Sequence, residues 1–189
     1  MYTTYTGARV RIRPFKDWDE VKRINFEQFI TPNEFWGPQW FPFAIAKRFF
    51  EETGYLGTSG MNLFAVDRLD TGELVGSEIY GARRNEINGI SASLGTEIMP
   101  EHRHMGFGIE AKQLCICFLF ENFPLEKVYA DTTNIHAPAV RGLKACGMHY
   151  EGANKCLHYK DGTYHHKVYF TIYREEWECL PIRQIVKRG

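Results

Sequence analysis

The chain has 189 residues and equal numbers of acidic and basic residues, so its formal net charge is zero. Basic residues are scattered along the sequence, which argues against a nucleic-acid partner and against an anionic-membrane surface. A chain of this length fits one domain with its own hydrophobic core. We therefore expect a single domain over residues 1–189, with a core at about residues 8–177 and a loose basic tail at residues 181–189.

Targeting and metal-binding signals are not visible in the sequence. The first residues, Met1 to Gly7, lack the apolar segment of a signal peptide, and the apolar run Leu114 to Phe120 is too short to span a bilayer. The five cysteines are an odd number without paired metal-type spacing. These features predict a reduced, cytoplasmic protein with no metal and no membrane attachment.

The first half of the chain begins with an alternating strand, Ala8 to Arg13, in which small or apolar residues alternate with arginines. A helix is predicted from about Asp17 to Phe29, because Asp17 and Glu20 resemble a capping box. The segment Thr31 to Phe43 is rich in proline and aromatic residues, which predicts an irregular loop. A short helix follows at about Phe43 to Thr53.

The second half of the chain predicts strands with two intervening helices. The predicted strands are Leu63–Asp67, Leu74–Tyr80, Ile87–Met99, Lys127–Thr132, Met148–Lys160 and Thr163–Tyr173, and the predicted helices are Gly106–Phe123 and Pro138–Cys146. Antiparallel hairpins on both sides of one βαβ crossover predict a mixed α/β (α+β) fold. We expect about seven strands, mostly antiparallel, and about four helices.

The segment between Pro100 and Ala111 carries the clearest chemical signal. A strand ends at Pro100, and a helix opens near Gly106 after a short loop. Gly106 and Gly108 allow backbone N–H groups to converge without interference from a Cβ atom. Such a helix N-terminus can bind an anion such as a diphosphate, although the same spacing also fits a glycine-rich turn without a ligand.

This segment resembles the pyrophosphate loop of the GNAT acetyltransferases. Arg103-x-x-Gly106-x-Gly108 matches the pattern [Arg/Gln]-x-x-Gly-x-[Gly/Ala] of that family. The run Leu94 to Ala111 aligns without a gap to I-G-Y-W-L-D-P-E-Y-R-G-K-G-Y-A-T-E-A, which is typical of the ribosomal-protein N-acetyltransferase (RimJ/RimL-like) branch. The segments Ala139 to Gly152 and Tyr173 to Trp177 are similar to later motifs of the same branch.

The resemblance implies a single GNAT-like domain that uses acetyl-CoA as its cosubstrate. It implies that Ile98 and Met99 pair with the pantetheine arm as an added strand would. The family sheet splays between this strand and the next, here Lys127 to Thr132, and the thioester sits in the opening. The residues implied to hold the CoA diphosphate are Arg103, His104, Met105, Gly106, Phe107, Gly108 and Ile109.

Two departures from the family pattern affect the expected proton donor and the CoA arm. The serine that protonates the departing thiolate in some members is Ala139 here, and the asparagine that contacts the CoA arm is His136. Asn134 is close enough in sequence to replace that asparagine. His136 is a candidate proton donor or CoA contact, and the alternative is a histidine that only begins a helix.

Candidate residues for the amine side come from the strands and from the aromatic loop. Glu97 is the first candidate for the general base, and the alternative is a carboxylate that faces solvent or pairs with Arg103. Glu78 is a weaker candidate on the acceptor side. Trp36 and Trp40 offer large aromatic faces for the acceptor site, and the alternative is a packed hydrophobic loop.

The sequence thus predicts an N-acetyltransferase that moves an acetyl group directly from acetyl-CoA to a primary amine, a small molecule or a peptide N-terminus, in a ternary complex. We expect a monomer or a homodimer. One alternative is a module that binds acyl-CoA without catalysis. Another is an NAD(P)-dependent oxidoreductase, because Gly106-x-Gly108-x-x-Ala111 and Asp131 fit a dinucleotide fingerprint. The residues between Pro100 and Met105 and the antiparallel hairpins count against the oxidoreductase.

Overall fold

A computed structural model describes residues 3–30, 35, 43–56, 62–85 and 89–189. The predicted mixed α/β class is confirmed, with nine strands in one sheet where about seven were expected. The strands are β1 Tyr5–Thr6, β2 Val10–Arg13, β3 Asn62–Arg68, β4 Leu74–Asn85, β5 Gly89–Ile98, β6 Lys127–Thr133, β7 His149–Lys160, β8 Thr163–Tyr173 and β9 Lys187–Arg188. Trp36, Trp40 and most of the predicted aromatic loop lie outside the described residues.

Six α-helices and one 3₁₀ turn accompany the sheet in the described part of the chain. They are α1 Trp18–Ile30, α2 Phe43–Thr53, the 3₁₀ turn Pro100–His102, α3 Phe107–Asn122, α4 Ala137–Ala145, α5 Arg174–Glu178 and α6 Ile182–Ile185. The predicted start of α1 is observed, because the Asp17 carboxylate accepts a hydrogen bond from the Glu20 N–H at 2.9 Å.

The two faces of the sheet are covered by different helices. On one face α3 packs against β2 to β6, and its buried side chains include Leu114, Phe118 and Leu119. Apolar residues occur on every face of α3, so this helix is buried along most of its length, as its sequence predicts. On the other face α1 and α2 pack through residues such as Val21 and Ala46.

The strand order is β7-β8-β6-β5-β4-β3-β2-β1-β9, and the pairing of β5 with β6 is parallel, whereas the other pairings are antiparallel. The parallel pairing extends only over residues 91–93 of β5 and 127–129 of β6. Beyond this short contact, β5 stays paired with β4 as far as Ile98, and β6 stays paired with β8 as far as Thr133. An opening therefore lies between the carboxyl-terminal halves of β5 and β6.

The C-terminal segment corrects the sequence prediction of a loose tail at residues 181–189. Ile182 and Val186 are buried in the main core, and β9 pairs with β1. Arg188 forms two hydrogen bonds with the Glu121 carboxylate, at 2.8 and 2.6 Å. The prediction failed because it used the basic composition of this segment and overlooked two apolar anchors separated by one helical turn.

Arg188→Gln tests how strongly this segment stabilises the fold. Burial alone would raise the pKa of Glu121, but bonds from Arg188 and Tyr5 outweigh burial and lower that pKa. The pair should contribute about 1 kcal/mol to the free energy of unfolding at neutral pH, since both side chains are partly exposed. This contribution is present above the unfolded-state pKa of glutamate, about 4.3, and is lost as the pH falls through the lower folded-state value. Urea denaturation at pH 7 and pH 3 measures it.

Lys187→Gln is the matched control, because Lys187 is exposed and neighbours Arg188 in the same short strand. We expect no measurable loss of stability from this variant. Equal losses in the two variants, or a loss in Arg188→Gln that persists at pH 3, would show that the Glu121 pair does not anchor the segment.

Candidate active site

Helix α3 begins at the carboxyl end of β5 with a left-handed turn. Gly106 is its N-cap residue, with φ of 80°, and His104 also has positive φ, at 62°. No side chain caps this helix end. The first N–H groups of a helix have no intrahelical acceptor, and the helix dipole adds partial positive charge there. Phe107, Gly108 and Ile109 therefore present amide groups suited to an anion.

Gly108 allows the first turn of α3 to lie directly on the unpaired half of β5. A Cβ atom at this position would lie 3.2 Å from Cγ1 of Ile98 and 3.5 Å from Cγ2 of Thr96. A larger side chain would push the helix away from the strand. The glycine at position 108 thus has a packing reason, and its role in binding stays a prediction.

At the opening, alternate peptide groups of β5 point toward β4 and toward the opening. This arrangement corrects the expectation that Met99 pairs with the pantetheine arm. The Met99 N–H donates to Val75 O at 3.0 Å, and Met99 O accepts from the His102 N–H at 2.9 Å. Both groups are used within the chain, so Met99 cannot pair with a pantetheine arm in this conformation. Successive residues of a strand alternate in direction, so the peptide groups of Ile98 and Thr96 point toward the opening.

Glu97 lies beside the opening and forms an ion pair with Arg103. The Arg103 Nη2 group is 3.1 Å from Glu97 Oε1, and the Arg103 Nε–H donates to Ile98 O at 2.9 Å. The Glu97 side chain is 26% exposed. Burial raises its pKa, and the opposing charge of Arg103 only partly offsets this. Pairing with Arg103 was the alternative considered for Glu97, and its role as a base stays a prediction.

Glu78 lies on the opposite face from Glu97 and needs correction as an acceptor contact. Glu78 is the cross-strand partner of Thr96, so the two side chains share a face, and Glu97 must point the other way. The Thr96 hydroxyl accepts a hydrogen bond from Lys112 of α3. Glu78 therefore faces α3, where it is completely buried and cannot touch an acceptor that arrives from solvent.

The other wall of the opening is formed by the end of β6 and the start of α4. His136 is the N-cap residue of α4, and its Nδ1 atom lies 3.2 Å from Thr132 Oγ1. The His136 ring packs on the Phe35 ring, with centroids 3.8 Å apart. The Asn134 side-chain oxygen accepts from the His166 N–H at 2.8 Å. This oxygen is thus used to join β6 to β8, and a contact of Asn134 or His136 with CoA stays a prediction.

The cysteines near the site are poor nucleophiles. Cys115, Cys117 and Cys146 are buried. Burial raises the pKa of Cys117 to about 11 and that of Cys146 to about 12, so neither is a thiolate at neutral pH. Among the described residues, no group of three or more His, Cys, Asp or Glu side chains is arranged to hold a metal ion. No helix in the described part of the chain is long and apolar enough to cross a membrane.

Residues 9–149 match the family described as the Acetyltransferase (GNAT) domain. The chain belongs to the GNAT acetyltransferase family. GNAT domains use acetyl-CoA, and the uncapped amides at the start of α3 fit its diphosphate. Membership of the GNAT family leaves the dinucleotide-oxidoreductase alternative without support. The Asp131 carboxylate, which that alternative would assign to a ribose, forms a salt bridge with Lys167 at 2.9 Å.

Solved structures share the fold at low sequence identity. A GNAT-family acetyltransferase from Bacillus anthracis is 18% identical, with a TM-score of 0.72, and the match covers 92% of this chain and 99% of that one. The spermidine N-acetyltransferase from Vibrio cholerae in complex with CoA and spermine is 19% identical, with a TM-score of 0.74 over 89% of this chain and 98% of that one.

A third structure, the ribosomal-protein-S5-alanine acetyltransferase from Vibrio fischeri, is 15% identical, with a TM-score of 0.66 over 93% of this chain and 98% of that one. No curated protein sequence matches this chain. At these identities the solved structures establish the shared fold and leave the amine acceptor open.

The sequence analysis missed Lys112 and Thr96, which meet Glu78 between α3 and the sheet. The sequence did contain a signal for Lys112. It is a lone lysine in α3, and the residues around it predict that this helix is buried on all sides. The signal for Thr96 was its place next to Glu97 on the strand that lines the opening.

Gly108→Glu tests the anion site at the start of α3. The new side chain has no room against Ile98 and brings a negative charge to the helix N-terminus, so we expect acetyl-CoA binding to be lost. Gly142→Glu is the control, because the space around Gly142 in α4 is open and the same charge is added there. Isothermal calorimetry with acetyl-CoA measures both affinities. Equal affinities in the two variants, or tighter binding of NADH than of acetyl-CoA by the unmodified protein, would contradict the assignment.

Proposed function

We propose that this protein transfers an acetyl group from acetyl-CoA to a primary amine in a ternary complex, with no acyl-enzyme intermediate. The observation that carries the proposal is the opening between β5 and β6, bounded at its end by the uncapped start of α3. A strand edge provides hydrogen-bonding groups for an extended arm, and the helix start provides amides for the diphosphate.

The residues on β5 support the proposed position of acetyl-CoA. The peptide groups of Thr96 and Ile98 face the opening, where they would pair with the amides of the pantetheine arm. Ile98 O is now bonded to Arg103, so binding requires Arg103 to move or to share this acceptor. The thioester would then lie between β5 and β6, and its reactive carbon would be accessible from the face that Glu97 occupies.

Glu97 is the proposed general base for the amine. A primary ammonium has a pKa near 10, so only a small fraction of the amine is neutral at pH 7. A partly buried carboxylate with a raised pKa can accept or relay the proton. Glu97 shares its face of the sheet with α1 and α2, and the segment that joins these helices contains Trp36 and Trp40, which we propose as walls of the acceptor site.

We propose the class of amine acceptor from the names of two proteins whose structures are similar to this one. One is a spermidine N-acetyltransferase in complex with CoA and spermine, and the other acts on an alanine of a ribosomal protein. A small polyamine and a peptide N-terminus are therefore the first acceptors to test, and the second would fit the RimJ/RimL-like resemblance. The free cysteines are consistent with a reducing, cytoplasmic location.

A second candidate function is acyl-CoA binding without catalysis. The observation that favours it is Ala139, which stands where some family members have the serine that protonates the thiolate. Acceptor-dependent release of free CoA thiol from acetyl-CoA, measured across a panel of amines, separates the two functions. Thiol release with any amine supports the enzyme, and tight binding without release supports the module.

Glu97→Gln tests the proposed base. The variant keeps the shape of the side chain and removes its basicity, so we expect kcat to fall by about a hundredfold at neutral pH. The defect should shrink at high pH, where more of the amine arrives neutral. Because the pKa of Glu97 is raised, the unmodified enzyme should lose activity as the pH falls through that value. Thiol-release assays over a pH series measure both effects.

Glu101→Gln is the matched control for Glu97→Gln, because Glu101 is an exposed carboxylate in the adjacent 3₁₀ turn. We expect its kcat to equal that of the unmodified enzyme. Full activity of Glu97→Gln near pH 7 would exclude Glu97 as the base.

Cys146→Ala tests the direct mechanism. Cys146 is buried with a pKa raised to about 12, so a covalent acyl-cysteine is not expected and the variant should keep its turnover. Acid-quenched protein can be examined by mass spectrometry for an added acetyl group. An acetylated cysteine that forms and decays at the rate of turnover would overturn direct transfer.

A further inference from the structure

A buried polar cluster lies between α3 and the sheet, formed by Glu78 of β4, Thr96 of β5 and Lys112 of α3. Lys112 Nζ donates a hydrogen bond to Thr96 Oγ1. Both carboxylate oxygens of Glu78 are buried, and neither has a hydrogen-bond partner. Glu78 is 0% exposed and Lys112 is 8% exposed. This is an unusual arrangement, because buried carboxylates are normally hydrogen-bonded.

The surroundings of the cluster offer little compensation for its charges. Burial raises the pKa of Glu78 to about 7, and the positive charge of Lys112 and the nearby Thr96 hydroxyl oppose that rise. The other titratable groups that face Glu78 are the thiols of Cys115 from α3 and Cys146 from the end of α4. Both thiols are neutral at pH 7, and among the described residues Lys112 is the cation that acts on Glu78. Buried groups of opposite charge stabilise a fold less than apolar residues of similar volume would.

The cluster borders the opening between β5 and β6. Thr96 lies in the half of β5 beyond Ser93, the last residue of β5 that pairs with β6. A Cβ atom at Gly108 would lie 3.5 Å from the Thr96 side chain, and Lys112 follows Gly108 by one helical turn. The Thr96 hydroxyl thus lies just beyond the proposed diphosphate site, along the edge where the pantetheine arm would run.

We propose that Glu78, Lys112 and Thr96 form the proton source for the departing thiolate of CoA, with the Thr96 hydroxyl as the group that meets the sulfur. The inference rests on the proposed function and extends it to the step that Ala139 leaves without its family serine. A hydroxyl that accepts a hydrogen bond from an ammonium still has its own proton to donate. Thr96 can therefore pass a proton from Lys112 toward the sulfur.

The proposed step balances as follows. The neutral amine attacks the thioester carbon, the C–N bond forms, and the C–S bond breaks with its electron pair on sulfur. The Thr96 hydroxyl gives its proton to the sulfur and takes one from the Lys112 ammonium. The proton lost by the amine goes to Glu97 or to solvent, and Lys112 regains its proton from solvent after CoA leaves as the thiol. Glu78 acts in its ionised form, in which its charge holds the proton on Lys112, so it is a positioning residue.

Thr96→Val is the first test, because it removes the hydroxyl and nearly preserves the side-chain shape. With saturating acetyl-CoA and an amine that the unmodified enzyme acetylates, we expect kcat to fall by about tenfold to a hundredfold. The KM for acetyl-CoA should change by less than about threefold, since the main binding contacts remain. Thr171→Val is the control, because Thr171 is a buried threonine of β8 that bonds Glu151 away from the opening.

The pH dependence provides a readout that a structural role would not change. Glu78 acts only when it is ionised, and burial raises the pKa of its carboxyl group to about 7. Its contribution to kcat should therefore appear as the pH rises through about 7. Glu78→Gln cannot ionise at this position, so the kcat of the variant should fall increasingly below that of the unmodified enzyme as the pH rises through this value. At each pH, the kcat of the variant is divided by the kcat of the unmodified enzyme. This ratio removes the effect of the ionisation of the acceptor amine, which is the same for both proteins. A ratio that is constant with pH would overturn the role of Glu78.

The double variant Glu78→Leu/Lys112→Met separates catalysis from folding. Replacing buried groups of opposite charge with apolar residues is often neutral or stabilising, so the double variant should fold and should bind CoA in calorimetry. We expect its kcat to remain as low as that of Thr96→Val. Recovery of full kcat in the double variant would assign the cluster to stability alone.

Two further outcomes distinguish this inference from the proposed function. If the unmodified protein releases no thiol with any amine, the proposed function fails and the cluster has no thiolate to protonate. If the unmodified protein turns over and Thr96→Val keeps full kcat, the inference fails and the proposed function stands. A large loss in His136→Gln together with an unchanged Thr96→Val would assign the proton to His136.

Discussion

The early separation of β5 from β6 is the constraint on which the rest of the structure depends. Each strand is bound along its length on its other side, β5 by β4 and β6 by β8, so neither can turn to follow its parallel partner. Gly76 helps to hold β5, because a Cβ atom there would collide with Glu97 O. Gly108 also fixes the position of β5, because it allows α3 to pack directly on Thr96 and Ile98. The opening is therefore a consequence of the strand pairing and packing around it.

The separation also places different chemistry on the two faces of β5. Successive side chains of a strand point to opposite faces, so Thr96 faces α3 and Glu97 faces α1 and α2. The carboxylate that we propose for the amine proton is thus isolated from the cluster that we propose for the thiolate. The two proton transfers of acyl transfer have opposite directions, and a shared carboxylate would have to accept and donate at nearly the same moment. A single strand that carries one group on each face avoids this conflict.

Much of the fold could be predicted from the sequence, because hydrophobic periodicity and glycine and proline signals are local. The helix Phe43–Thr53 and the hairpin strand Thr163–Tyr173 have the predicted bounds. Long-range pairing could not be predicted in the same way. The docking of β9 depends on β1, which is distant in sequence, and the engagement of Met99 depends on Val75 in the neighbouring strand. The burial of Glu78 likewise depends on where α3 crosses the sheet, which local periodicity does not determine.

Buried ionisable groups of opposite charge at this place have a physical consequence beyond their cost in stability. Electrostatic interactions are stronger in a dry, low-dielectric site than in water, so a charge already fixed beside the opening acts on a developing thiolate without reorganising solvent. The partial positive charge at the start of α3 lies one turn from Lys112, and both favour negative charge in the opening. Glu78 balances Lys112 before the reaction and is shielded from solvent behind it. When Glu78 is ionised, at a pH above about 7, the charge of the cluster as a whole is near zero until a proton leaves, and an apolar core can then hold a proton donor next to the reaction.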